Sequence, residues 1–117
     1  MCKQGIRNAF IESCQSMKHA KGLKHYLFGN NKIGENDNGE RINALADLIT
    51  NRPDIITWFL AGNCLDENNI EPIANALSNS QSKYIWLKMN PIKMGTYYLG
   101  TMIVKNHQIE LLDLFNT

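Results

Sequence analysis

The stretch TWFLAGN, residues 57–63, sets two large aromatic residues side by side. In a strand, successive side chains lie on opposite faces of the sheet, so one core cannot hold both Trp58 and Phe59. One ring must face outward, and the register decides which. Asn63 supplies that register, because the pattern that ends on it recurs along the chain.

In LKHYLFGNNKIG the apolar places are Leu23, Tyr26 and Phe28, followed by Asn31 and then Ile33. IITWFLAGNCL puts Ile55, Trp58, Leu60, Asn63 and Leu65 at the same places, and SKYIWLKMNPI puts Ser82, Ile85, Leu87, Asn90 and Ile92 there. The final IELLDLFNT gives Ile109, Leu112 and Leu114, with Thr117 where an asparagine would stand. The interval from 31 to 63 is longer than the two that follow, and GENDNGE, residues 34–40, reads as the insertion.

Helical patterns separate these signatures. RINALADLITN carries Ile42, Leu45, Ala46 and Ile49 on one face, and IEPIANALSN carries Ile70, Ile73, Ala74 and Leu77. YYLGTMIVKN offers Leu99, Met102 and Ile103, weakened by Gly100 at a cost of about 1 kcal/mol relative to alanine. The opening GIRNAFIESCQSMKH has Ile6, Phe10, Cys14 and Met17 on one face and no strand before it.

Three signatures in phase, each followed by a helix, make residues 6–117 resemble the leucine-rich-repeat family, in particular its longer strand-plus-helix repeats of the ribonuclease-inhibitor type. Ser82 and Thr117 depart from the family pattern. The resemblance implies an α/β solenoid with a short parallel sheet on the concave face and helices on the convex face. It divides a single repeat domain into 1–22 (an N-terminal helix or partial repeat), 23–54, 55–81, 82–108 and 109–117, the strand of an incomplete fourth repeat. The physics agrees: a strand buried on one face and the helix that covers it are unstable alone, and stacking closes the core. Asn31, Asn63 and Asn90 sit where each strand turns away, and an amide there brings both donor and acceptor to the turn backbone, so neighbouring copies should form a ladder.

With this frame, the residues six, four and two places before each asparagine position face outward: His25, Leu27 and Gly29; Thr57, Phe59 and Ala61; Tyr84, Trp86 and Lys88; Leu111, Asp113 and Phe115. Strands lie about 4.8 Å apart, so Leu27, Phe59 and Trp86 should touch as an apolar strip flanked by Tyr84 and Lys88. Such a strip resembles the centre of a protein-binding patch. The expected function is non-catalytic binding of a protein partner, with Phe59, Trp86 and Tyr84 as anchors and His25, Thr57, Lys88 and Asp113 as polar selectors. The plainer reading is that β-propensity alone favours aromatics on a sheet face.

Bulk properties exclude several classes. Hydrophobic content of 44% and charged content of 20% are ordinary for one globular domain, and no apolar run approaches the roughly 20 residues of a membrane span. MCKQGIRNAF lacks the features of a secretory signal, which points to a reducing, cytoplasmic setting with Cys2, Cys14 and Cys64 as free thiols. The net charge is only +1, although residues 1–34 are basic and 35–71 acidic, and this disfavours nucleic acid. His19, His25 and His107 lie in separate elements, and the acids of GENDNGE miss the alternating places of a calcium loop, so that segment reads as a solvated turn without metal. Cys64 follows Asn63, where family members carry small or polar residues. No catalytic signature is present, and no enzyme activity or cofactor is expected.

The chain stops at Thr117 with no helix to cover Ile109, Leu112 and Leu114. An uncapped stack exposes core and strand edge, so the expectation is a fragment of a longer protein, loss of terminal repeats, or self-association through the last strand. The resemblance also admits a regulatory or sensor segment of a larger signalling protein or GTPase activator, and a degenerate remnant.

Overall fold

A computed structural model describes residues 2–117, with side chains from residue 9 onward. Helix α1 (Cys2–Met17) leads to strand β1 (His25–Leu27), and three further helix–strand steps follow. These are α2 (Glu40–Asn51) and β2 (Thr57–Phe59), α3 (Ile70–Ser78) and β3 (Tyr84–Trp86), and α4 (Thr96–Lys105) and β4 (Leu111–Asp113). A single 3-10 turn, Lys93–Gly95, runs into α4. All four strands are parallel in the order β1-β2-β3-β4, and each helix packs on the next along the chain. The result is a slab of 41 × 33 × 18 Å.

Tyr26, Trp58 and Ile85 are directly paired across β1, β2 and β3, and all three are buried beneath the helices. The asparagine register therefore sends Trp58 in and Phe59 out. Leu60, Leu87, Ile33, Leu65 and Ile92 extend the same layer, and Leu45, Leu48, Ile49, Ile73 and Leu77 close it from the helix side. The Tyr26 ring meets Trp58 edge-on at 5.1 Å between centroids, and Phe28 stacks on Trp58 at 6.5 Å.

A buried indole needs an acceptor for its N–H, and the chain supplies one at its apparent flaw. Ser82 stands where the other signatures carry Leu, Ile and Ile. Its fully buried Oγ accepts from Trp58 Nε1 at 3.0 Å and donates to the Ile55 carbonyl at 2.7 Å. The serine is thus the complement of the tryptophan in the preceding unit.

Several expectations shift. Ile103 is 49% exposed, because the buried stripe of α4 runs through Leu99 and Met102 with Tyr98 half-buried beside them, and α4 has a helix neighbour only on the α3 side. Leu23 is 50% exposed while its counterpart Ile55 is buried, since β1 has a neighbouring strand on one side alone. In α1, Cys14 is buried with Phe10 and Met17 packed around it, whereas the Ile6 side chain lies outside the described residues. GENDNGE is not a merely solvated turn. The Asp37 carboxylate is enclosed and accepts from the backbone N–H groups of Gly39, Arg41 and Ile42, capping α2 from three residues ahead of its first residue. The buried Arg41 guanidinium donates to the Lys32 and Glu35 carbonyls, which fixes the rest of the insertion.

Arg52, at the end of α2, holds the first segments together. Its buried guanidinium donates to the carbonyls of Met17, Ala20 and Leu23, to the Tyr26 hydroxyl at 2.8 Å and to both oxygens of Asp54. Lys24 reaches the same carboxylate at 2.7 Å. Hydrogen bonds from Arg52 first and Lys24 second hold the Asp54 carboxyl well below the usual carboxylate range.

Candidate functional site

The outer face is positioned by the asparagines behind it. Asn63 Oδ1 accepts from the Asn31 backbone N–H at 2.8 Å, and its Nδ2 donates to the carbonyls of Phe28, Leu60 and Ala61. Asn90 repeats the arrangement one unit later: Oδ1 takes the N–H groups of Asn63 at 2.7 Å and Leu65 at 3.1 Å, and Nδ2 donates to Leu60, Leu87 and Lys88. Asn31 bonds the Phe28 and Gly29 carbonyls but is exposed, whereas Asn63 and Asn90 are fully buried. Thr117 donates its hydroxyl to Leu114, the carbonyl three residues earlier, as each asparagine does. A buried amide with both ends engaged fixes the turn, and the turn fixes the strand end.

Two columns are paired on the side of the sheet away from the helices. The first pairs His25, Thr57, Tyr84 and Leu111, with His25 Nδ1 hydrogen-bonded to Thr57 Oγ1 at 2.7 Å. The second pairs Leu27, Phe59, Trp86 and Asp113. Phe59 and Trp86 meet at 5.9 Å between ring centroids, and the ammonium of Lys88 lies 5.9 Å from the first centroid and 6.0 Å from the second. Both distances fall within the range of a cation–π contact. Leu27 stands 72% exposed. Gly29 leaves room for the Phe59 ring, since a Cβ there would come within 2.8 Å of Phe59 Cε1.

Not every outward position is open. Ala61 is 2% exposed rather than solvated, because a single methyl in the turn after an inner strand lies lower than the longer side chains around it. Asp113 accepts from the Phe115 backbone N–H at 2.9 Å. Among the described residues, neither Asp113 nor Lys88 takes part in an ion pair. The ammonium has turned to the rings, on the side of Trp86 away from β4.

His19 and His107 are exposed in other elements, and no three His, Cys, Asp or Glu among the described residues are grouped to hold a metal. Burial pushes the Cys14 thiol up to about 12, and Cys64 is half-buried in its turn. A polar cleft of about 370 Å³ separates the insertion from the start of α3, lined by Asp37, Asn43, Asp66 and Asn69 among others. Its two carboxylates are committed to backbone N–H groups, Asp37 to those at the start of α2 and Asp66 to those of its own loop.

No family model matches the chain, and no curated protein matches it. Among solved structures it is similar to the tropomodulin C-terminal domain of Caenorhabditis elegans, with a TM-score of 0.57 and 13% identity over 89% of this chain and 81% of that one. Identity at this level speaks to fold alone. That domain is of leucine-rich-repeat type, and the likeness agrees with a mixed α/β fold built on a parallel sheet. Among the described residues no helix is long and apolar enough to cross a membrane.

Proposed function

We propose that the chain is a non-catalytic recognition module, a short solenoid of ribonuclease-inhibitor-like repeats that binds a protein partner on a concave outer sheet face. The observation that carries this reading is the Phe59–Trp86 pair with Lys88 across it. The core is complete without these rings, since Tyr26, Trp58 and Ile85 fill the covered face from the same strands. Aromatic side chains grouped near the centre of a face, with polar groups such as His25, Thr57, Tyr84 and Asp113 around them, are what binding hot spots are made of. The free thiols Cys14 and Cys64 support a cytoplasmic setting.

The test is affinity capture from lysate with the chain and with the double variant Phe59→Ala, Trp86→Ala, the fold of both being checked by circular dichroism. Partners retained by the chain and lost by the folded variant are expected. Equal capture by both removes the outer face from the reading. A second reading, a regulatory or sensor segment of a larger signalling protein or GTPase activator, draws support from the similar structure, itself a C-terminal domain.

A further inference from the structure

Resting on that reading of the outer face, the geometry points to the chemistry of the partner. We propose that the partner segment carries a carboxylate set among apolar side chains, and that this carboxylate pairs with Lys88. The Lys88 ammonium sits about equally far from both ring centroids, at 5.9 and 6.0 Å, so whatever covers Phe59 and Trp86 also covers the charge. A cation removed from water without a counter-charge opposes binding, and the ring faces offset only part of that cost. The chain itself provides no carboxylate for Lys88 among its described residues. Asp113 lies in the next strand beside Trp86 and accepts from the Phe115 N–H. As the side chains stand, no carboxylate of the described residues pairs with Lys88, and the counter-ion is the partner's to bring. Leu27, 72% exposed and paired with Phe59 on the far side of the rings, offers the apolar contact that flanks it.

A nucleic acid would bring phosphates to the same ammonium, but a polyanion needs several cations, and the two rings have one lysine against them, with the Asp113 carboxylate in the next strand. An acidic, apolar peptide segment fits the single charge and the three apolar side chains.

The experiment selects random 12-residue peptides displayed on phage against the immobilised full chain, and in parallel against Lys88→Glu and against the Phe59→Ala, Trp86→Ala variant. Each protein is first shown to be folded by circular dichroism. Expected is enrichment of peptides with Asp or Glu beside aromatic or aliphatic residues, loss of at least tenfold in their affinity for Lys88→Glu, and selection of Lys or Arg at that place by the reversed variant. Peptides that need Phe59 and Trp86 but show no acidic preference overturn this inference and leave the outer-face reading standing. Peptides indifferent to both rings overturn the two together. Two further results would also overturn it: dimerisation in sedimentation that Trp86→Ala abolishes, which assigns the face to a second copy, and ring-dependent binding of a labelled oligonucleotide.

Discussion

Replacing Ser82 by alanine removes one oxygen from the core and leaves two partners stranded. Trp58 Nε1 loses its acceptor at 3.0 Å and the Ile55 carbonyl its donor at 2.7 Å, both at fully buried sites. An unsatisfied buried group costs about 1–3 kcal/mol, so the pair together should cost about 2–4 kcal/mol. With a urea m-value near about 1.5 kcal/mol/M for a domain of this size, the unfolding midpoint falls by roughly 1.5–2.5 M. The sharper measurement is a double-mutant cycle with Trp58→Phe, which deletes the indole N–H and part of the ring volume. Once that N–H is gone, Ser82→Ala loses only the bond to Ile55, and the coupling energy should be about 1–2 kcal/mol. Far-UV circular dichroism is the suitable signal, because Trp58 fluorescence is itself altered. A coupling below about 0.5 kcal/mol, or a cost of Ser82→Ala below about 1 kcal/mol, would refute the claim that serine and tryptophan are complements.

Arg52→Met should cost about 3–5 kcal/mol, because it takes a charged donor away from three carbonyls and a hydroxyl at once, leaving Met17 and Ala20 only their neutral donors, and hydrogen exchange should rise first in residues 17–27. Asp54 has a depressed folded pKa, so its contribution is fully present above its ordinary value of 3.8, begins to fall below that value and is gone once the pH has passed its lower folded pKa; Asp54→Asn should flatten this acid limb, and added salt should shrink it, since the carboxylate is 40% exposed. Asn63→Ala should cost about 2–4 kcal/mol in urea unfolding, against less than about 1 for the exposed Asn31→Ala; equal costs would remove burial as the reason. In a Cys2→Ser background at pH 8, a thiol reagent should modify Cys64 in the native state and Cys14 only on unfolding, because burial holds the Cys14 proton on its sulfur up to about 12.

What could be read from the sequence is what periodicity and spacing encode. Trp58 and Phe59 divide between two faces because alternation is a property of any strand, and the recurrence of Asn31, Asn63 and Asn90 fixed the phase. The outer columns follow from the same phase and appear in the observed pairing. Positions whose surroundings depend on what lies beside them in space were not legible. Ile103 has the spacing of a core residue, but only packing reveals that α3 covers a different flank of its helix. The roles of Arg52 and Asp37 stayed hidden because charged residues in loops and last turns look solvated until their backbone acceptors or donors are placed around them. Ser82 carried a usable signal. A tryptophan at a core place demands an acceptor, and the one polar residue at an apolar signature place, Ser82 in the next unit, is its natural acceptor.

The asparagine ladder also has a direction. Each amide oxygen reaches back to a backbone N–H of the unit before it, Asn63 to Asn31 and Asn90 to Asn63. In a chain made from its N-terminus, the turns at Asn31 and Asn63 are therefore made before the amide that secures their backbone N–H, and each gains that bond only when the following unit has been translated. During synthesis the two bonds become available in chain order, the one at Asn31 before the one at Asn63.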